Sequence, residues 1–244
     1  MYKKMKKTIK YITIILALTA VVSCEDIFDP LDENLRSLET IESDPETAEG
    51  ILIQGYTKVF NQYRFTEVAT DDAVHNQLDN NLKRMALGEL SAIFNPASQW
   101  DEYERVFYMN QFIEIINKGK VVWKRDEEIS ALFDDRLKGE ALALRGLFHY
   151  YILQAHAGIG ISGNLMGIPY YKEFIEPSGN FNIQRLSFQE SVNAIMADFD
   201  EAILLLPTDY SSNPSDVDPK YGDIDFSNID IASSVILLGF FAIK

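Results

Sequence analysis

A single cysteine among 244 residues excludes an internal disulfide framework. Basic side chains are scarce: 22 Lys and Arg stand against 37 Asp and Glu, a formal net charge of −15. Nucleic acid and anionic membrane surfaces are thereby excluded as partners, since both would repel the chain. Acidic glycan-handling surfaces remain compatible with that balance, as does plain solubility. With three histidines and no H-E-x-x-H, a zinc-hydrolase motif is missing. There is no G-x-S-x-G and no P-loop. Gly158-x-Gly160-x-x-Gly163 matches the letters of a dinucleotide fingerprint, but it follows a helical pattern where that motif needs a strand. Glycoside hydrolysis requires two carboxylates at a set separation with split pKa values, and no spacing singles out such a pair. The chain is therefore read as a non-enzyme with no cofactor and no metal. Asp71-Asp72-x-x-His75 has oxygen donors for a hard cation but reads as a solvated loop.

What is present begins with Lys3, Lys4, Lys6, Lys7 and Lys10, followed by an apolar-to-neutral run over Tyr11–Val22. That is the layout of a secretory signal peptide, and the run falls short of the roughly 20 residues a spanning helix needs. It ends in Val21-Val22-Ser23-Cys24, which resembles a bacterial lipobox with Cys24 as the lipidated residue. Residues 1–23 are assigned as a lipoprotein signal peptide, and their removal leaves 17 basic side chains against 37 acidic ones, about −20. Acyl chains contribute roughly 0.8 kcal/mol per buried CH₂, so the anchor ties the chain to a membrane. Residues 24–44, acidic with Arg36 as the only base, read as an extended tether.

Beyond it every long patterned segment has the helical period. Asp44-Pro45 opens a helix as cap and first position, with Ala48, Ile51, Leu52, Gly55, Val59 and Tyr63 on its inner face. Residues 69–99 are polar and irregular, and long polar loops in compact domains are commonly functional. Trp100 opens a second helix that Gly119 stops, with Tyr103, Val106, Phe107, Asn110, Ile113 and Ile116 inward. Trp100 itself reads as core, with a sugar-stacking platform as the alternative. The central helix starts at Asp126-Glu127-Glu128, acidic at its positive end, and runs through Gly139–Gln154. Ala141, Leu144, Leu147, Phe148, Tyr151 and Ile152 form its apolar stripe, while Ala143 and Gly146 allow a neighbour to approach closely. His149 reads as a packed core residue and His156 as a residue at the helix end favouring its negative pole. Ile168-Pro169-Tyr170-Tyr171 comes next in extended form. Ser187-Phe188-Gln189-Glu190 is a capping box before a helix with Phe188, Val192, Ile195, Met196, Phe199, Ala202 and Ile203 on one face, closed by Pro207. The last stretch, NIDIASSVILLGFFAIK, is apolar nearly all round and needs cover on every side, so the chain is expected to be the N-terminal part of a longer protein.

The run LRGLFHYYILQAHAGIGI…GIPYY followed by RLSFQESVNAIMADFDEAILLLP resembles the SusD/RagB family of Bacteroidetes outer-membrane lipoproteins. Arg145, Tyr150, Pro169, Asp198, Ala202, Ile203, Leu206 and Pro207 fall on that family's pattern, although Gly146 replaces its usual alanine. The resemblance implies an all-α fold of tetratricopeptide-like helical hairpins with long loops, incomplete at the C-terminus, over residues 45–244. It implies Asn110 buried against neighbouring backbone, and Glu25-Asp26 resembles the acidic tag that directs such lipoproteins to the cell surface. It further implies a surface lipoprotein of the outer membrane that binds an oligo- or polysaccharide and delivers it to a TonB-dependent, SusC-like porin. By position, the ligand-binding candidates are His75, Asn76, Gln77, Asn80, Asn81 and Arg84. The alternative is a helical scaffold lipoprotein without a ligand site of its own, its hairpins presenting a concave docking surface.

Overall fold

The computed structural model describes residues 38–59, 66–73, 76, 80–91, 93–123 and 127–207. Cys24, the signal segment, most of the tether, Tyr63, His75, Gln77 and the apolar last stretch lie outside the described residues. The chain divides into two compact units, Met1–Ile41 and Glu42–Lys244, and the helical body belongs to the second. The boundary falls inside a short helix, α1 (Leu38–Ser43), within the stretch expected to be an extended tether.

The body is all-α, as expected. Helix α2 (Pro45–Val59) starts where Asp44-Pro45 places it, with the Thr47 hydroxyl donating to the Asp44 carboxylate at 2.5 Å. A 3-10 turn (Thr66–Ala69) leads into the polar loop, which holds one helical turn, α3 (Asn81–Arg84), continued by a π-type turn over Met85–Glu89. A 3-10 turn at Trp100–Glu102 leads into α4 (Tyr103–Asn117). Gly119 ends it at φ 63°, a left-handed conformation that suits glycine. Helix α5 (Glu127–His156) is 30 residues long and packs α4 on one side and α6 (Phe188–Leu205) on the other, while α2 closes over α4 and α5. The only strands among the described residues are β1 (Gly158–Ile159) and β2 (Leu165–Met166), an antiparallel hairpin in the glycine-rich connection.

The core lies where α2, α4 and α5 meet. Met109, Phe112, Leu142, Leu144, Phe148 and Ile152 are all at or below 2% exposure, and burying side chains of this size stabilises by about 1.5–3 kcal/mol each. Two glycines set the helix spacing. A Cβ on Gly55 would stand 2.8 Å from Met109 Cε, and one on Gly146 would stand 3.0 Å from Phe199 Cε1. The expectation that Gly146 lets a neighbour approach is met by α6. Beneath the core, Glu140 accepts from the Tyr56 hydroxyl (2.7 Å) and from Arg136 Nε (3.2 Å), and burial pushes its carboxyl above the usual carboxylate range.

Helix α6 is rotated from its expected setting. Phe188, Met196 and Ile203, expected on the inner face, are exposed at 36%, 50% and 70%. The buried arc is Ser191, Ile195, Asp198 and Ala202. Two of those four are polar, and both bond the extended segment over residues 167–173.

Candidate functional site: a clamped strap and an aromatic platform

Gly167 to Glu173 crosses the helices as an extended strap whose start pairs with Leu186, Gly167 N donating to Leu186 O and Leu186 N to Ile168 O. The rest of its backbone groups must bond elsewhere. Side chains from three helices supply most of the bonds. Ser191 Oγ accepts from Ile168 N (3.1 Å), and Tyr103 donates to Pro169 O (2.6 Å). Asn110 Nδ2 donates to Tyr171 O (2.9 Å) and Glu173 O (3.2 Å), which confirms the buried role expected for it. Arg145 Nη1 donates to Lys172 O (2.6 Å) and to Asn110 Oδ1 (2.9 Å), while Nε and Nη2 form a fork on Asp198 at 2.8 and 2.5 Å. The Tyr170 hydroxyl also donates to Asp198. Arg145 and Asp198 are 2% and 3% exposed. This is a buried ion pair whose remaining polar valences are filled, the condition under which such a pair is tolerated.

His149, completely buried, sits at the centre as the core histidine expected. Its Nδ1 donates to Arg145 O (2.9 Å), its Nε2 accepts from Tyr171 N (3.2 Å), and its ring stacks on Tyr170 at 3.9 Å. One donor and one acceptor define a neutral imidazole, and burial pushes its pKa from 6.5 down to about 3. Burial, and after it the nearby Asp198 charge, drives the Tyr170 hydroxyl well above its ordinary value.

The strap lies so close to α6 that Gly167 has no room for a side chain. A Cβ there would stand 2.0 Å from Ser191 Oγ and 2.6 Å from Ser187 O. Gly167→Ala is expected to destabilise by at least about 1–3 kcal/mol, the usual range for overpacking, read as a lowered urea midpoint. A midpoint equal to wild type would show that the strap is loosely held.

At the far end of α5 the chain builds a second feature. Trp100, expected in the core, is 45% exposed. One indole face rests on His156 at 3.7 Å with 14° between planes, and Tyr103 lies 5.9 Å away in near-parallel orientation. His156 stands at the helix end as expected, serving there as a hydrogen-bond acceptor rather than as the cation a negative pole favours. Its Nε2 accepts from Gln99 N (2.9 Å), with Ser98 Oγ at 3.3 Å, and burial together with Arg185 lowers its pKa. Arg185 takes the cation's place, donating to His156 O (2.8 Å) and Gly167 O (2.6 Å). Tyr103 then lines a groove of about 130 Å³ with Phe107, Tyr171 and Phe181.

Of the candidates in the polar loop, Asn76, Asn80, Asn81 and Arg84 lie among the described residues. Asn80 caps α3, its Oδ1 accepting from Leu82 N (2.9 Å) and Lys83 N (3.2 Å). Arg84 pairs with Glu89 at 2.7 Å and covers the Phe94 ring at 4.2 Å. Asn76 and Asn81 are exposed. The loop does reach the platform through its second half, because Asn95, next to Phe94, donates to Ala155 O (3.2 Å) one residue before His156. Asp71 and Asp72 are exposed, and no cluster of three or more metal-ligating side chains occurs among the described residues.

A helical array holding an extended strap through a buried Arg–Asp pair defines the architecture. Residues 48–219 match the SusD-like family described as "Starch-binding associating with outer membrane", and the chain belongs to that family. Two solved structures share its fold. One is a SusD-like protein from Bacteroides fragilis, 23% identical with a TM-score of 0.55, covering 75% of this chain and 33% of that one. The other is a laminarin-binding SusD-like protein, 22% identical with a TM-score of 0.53, covering 69% of this chain and 36% of that one. The chain thus spans about a third of the length of either structure. No match is found among curated proteins.

Proposed function

We propose that this protein binds a glycan, with Trp100 as its stacking surface, and passes it to a TonB-dependent outer-membrane porin of the SusC-like kind. The observation that carries the reading is an exposed indole immobilised from behind by His156 at 3.7 Å. A flat apolar ring face held rigidly suits a sugar ring, because little side-chain freedom remains to be lost on binding. The family description and the laminarin-binding relative support a polysaccharide as ligand. Asn76, Asn81 and Arg84, with His75 and Gln77, belong to the proposal as polar partners for sugar hydroxyls. So do a lipid anchor at Cys24, a tether over 24–44, an outward-facing location and a binding role without catalysis.

The test is affinity electrophoresis against laminarin and starch. Trp100→Ala is expected to weaken retention by roughly tenfold, the equivalent of about 1.4 kcal/mol, with unchanged circular dichroism. Retention equal to wild type would remove Trp100 from the site. The scaffold reading draws on a different observation. Ile159, Ile161 and Leu165 project from the β1–β2 hairpin at 79%, 111% and 50% exposure, as a docking knob would. Binding of the porin that survives Trp100→Ala but is lost on replacing these three by serine would favour it.

A further inference from the structure

We infer that His156 is the positioning residue of the Trp100 platform and that it makes glycan binding acid-sensitive; this rests on the glycan reading. The geometry is specific. The imidazole is stacked on the indole at 3.7 Å, and its Nε2 is committed as acceptor to the Gln99 backbone N–H at 2.9 Å. Only a neutral ring can accept there. A proton on Nε2 would point at the Gln99 N–H, donor against donor. Ser98 Oγ, 3.3 Å from the same nitrogen, can accept it only if the ring turns away from Gln99, which breaks the bond that holds the backbone. Gln99 precedes Trp100 directly, so the bond lost is the one that fixes the backbone from which the indole projects.

The charges facing His156 favour the neutral form. Arg185, from the segment before α6, bonds the His156 carbonyl at 2.8 Å and repels an imidazolium. On the turn carrying Trp100, Asp101 is directed to Lys58 at 3.8 Å, and Glu102 is buried. On the histidine's own helix, Gln154 donates to the Tyr150 hydroxyl. The Tyr103 hydroxyl is engaged by Pro169 O, and the β1–β2 hairpin brings no charged side chain. Two effects oppose this, the negative pole of α5 and the attraction of a cation to an indole face. Arg185 already occupies the first. The second is retained only if the ring stays stacked, which its hydrogen bond no longer supports.

Two measurements on the same protein separate this from the glycan reading. Tryptophan fluorescence of the unliganded protein is expected to show a transition on acidification with a midpoint below 6.5, the ordinary histidine value. It should be absent in both Trp100→Phe and His156→Gln. Retention by laminarin is expected to fall between about pH 7.5 and pH 5 in the wild type by about the same tenfold as on removing the indole. It should be pH-independent in His156→Phe, which keeps a stacked ring and cannot titrate. A fluorescence transition without binding at any pH would uphold the positioning role while the glycan reading fails. Binding that ignores pH, with a wild-type affinity in His156→Gln, would overturn the inference while the glycan reading stands.

Discussion

Replacing Arg145 by alanine is expected to lower the unfolding free energy by about 3–5 kcal/mol, the range for removing one partner of a buried pair. The guanidinium serves four acceptors at once: both Asp198 oxygens, Asn110 Oδ1 and Lys172 O. Without it, Asp198 is left at 3% exposure with no guanidinium beside it and the Tyr170 hydroxyl still donating to it. Arg145→Lys should recover only a minor part, because an ammonium cannot form the planar fork. Replacing both partners, Arg145→Met with Asp198→Leu, should be much milder than either single change, since no uncompensated charge is then left inside. Urea unfolding reads all of these as midpoint shifts at constant slope. In the single variant, trypsin should also gain access to Lys172, whose carbonyl the arginine holds. A variant within about 1 kcal/mol of wild type would mean that the fork contributes little.

The second large effect is acid lability centred on His149. Its pKa is near 6.5 unfolded and about 3 in place, so between those values the unfolded chain binds a proton that the native state refuses. Stability is therefore full above the unfolded value and is lost as pH falls through that window, on the order of 5 kcal/mol in total. His156, also lowered, adds a loss of the same sign. Glu140, raised by burial, acts oppositely, since its protonation favours the fold. Unfolding measured from about pH 7.5 to 5 in His156→Gln, compared with the same variant carrying His149→Gln as well, reads the His149 share above the range where most carboxylates titrate. The imidazole resonance of His149 in the native state should stay unprotonated throughout. A native midpoint above about 5 would contradict the burial that sets it.

Periodicity serves well wherever hydrophobic burial decides the structure. The stripe from Ala141 to Ile152, the Asp44-Pro45 start, the stop at Gly119 and the Ser187 capping box all rest on local chemistry that a sequence displays. It misleads on α6, because the buried face there carries Ser191 and Asp198 while Met196 and Ile203 face outward. A polar residue chosen to bond a distant strap leaves no hydropathy signal, and neither does the strap's demand on Gly167. Tyr56 escapes for a related reason: its hydroxyl finds Glu140, 84 residues away. At Trp100 a bulky apolar side chain at a helix start points to burial, and the His156 face that holds it exposed is 56 positions along the chain. The polar loop is recognisable as candidate site territory by composition alone, and composition does not say that Asn80 spends its oxygen on a helix cap.

The strap is held by its main chain: the carbonyls of Gly167, Pro169, Tyr171, Lys172 and Glu173 are what Arg185, Tyr103, Asn110 and Arg145 grip. Apart from Gly167, which has no room for a side chain, and Tyr170, which bonds Asp198, the grip falls on carbonyls that any residue carries, and it ends before the exposed residues 178–180. Phe181, Arg185 and Leu186 return to the body, whereas the exposed residues 176–180 lie outside that grip, a position where insertions are expected to be tolerated. For the experimenter, it is the place to graft an epitope or a fluorophore without disturbing the helices on either side.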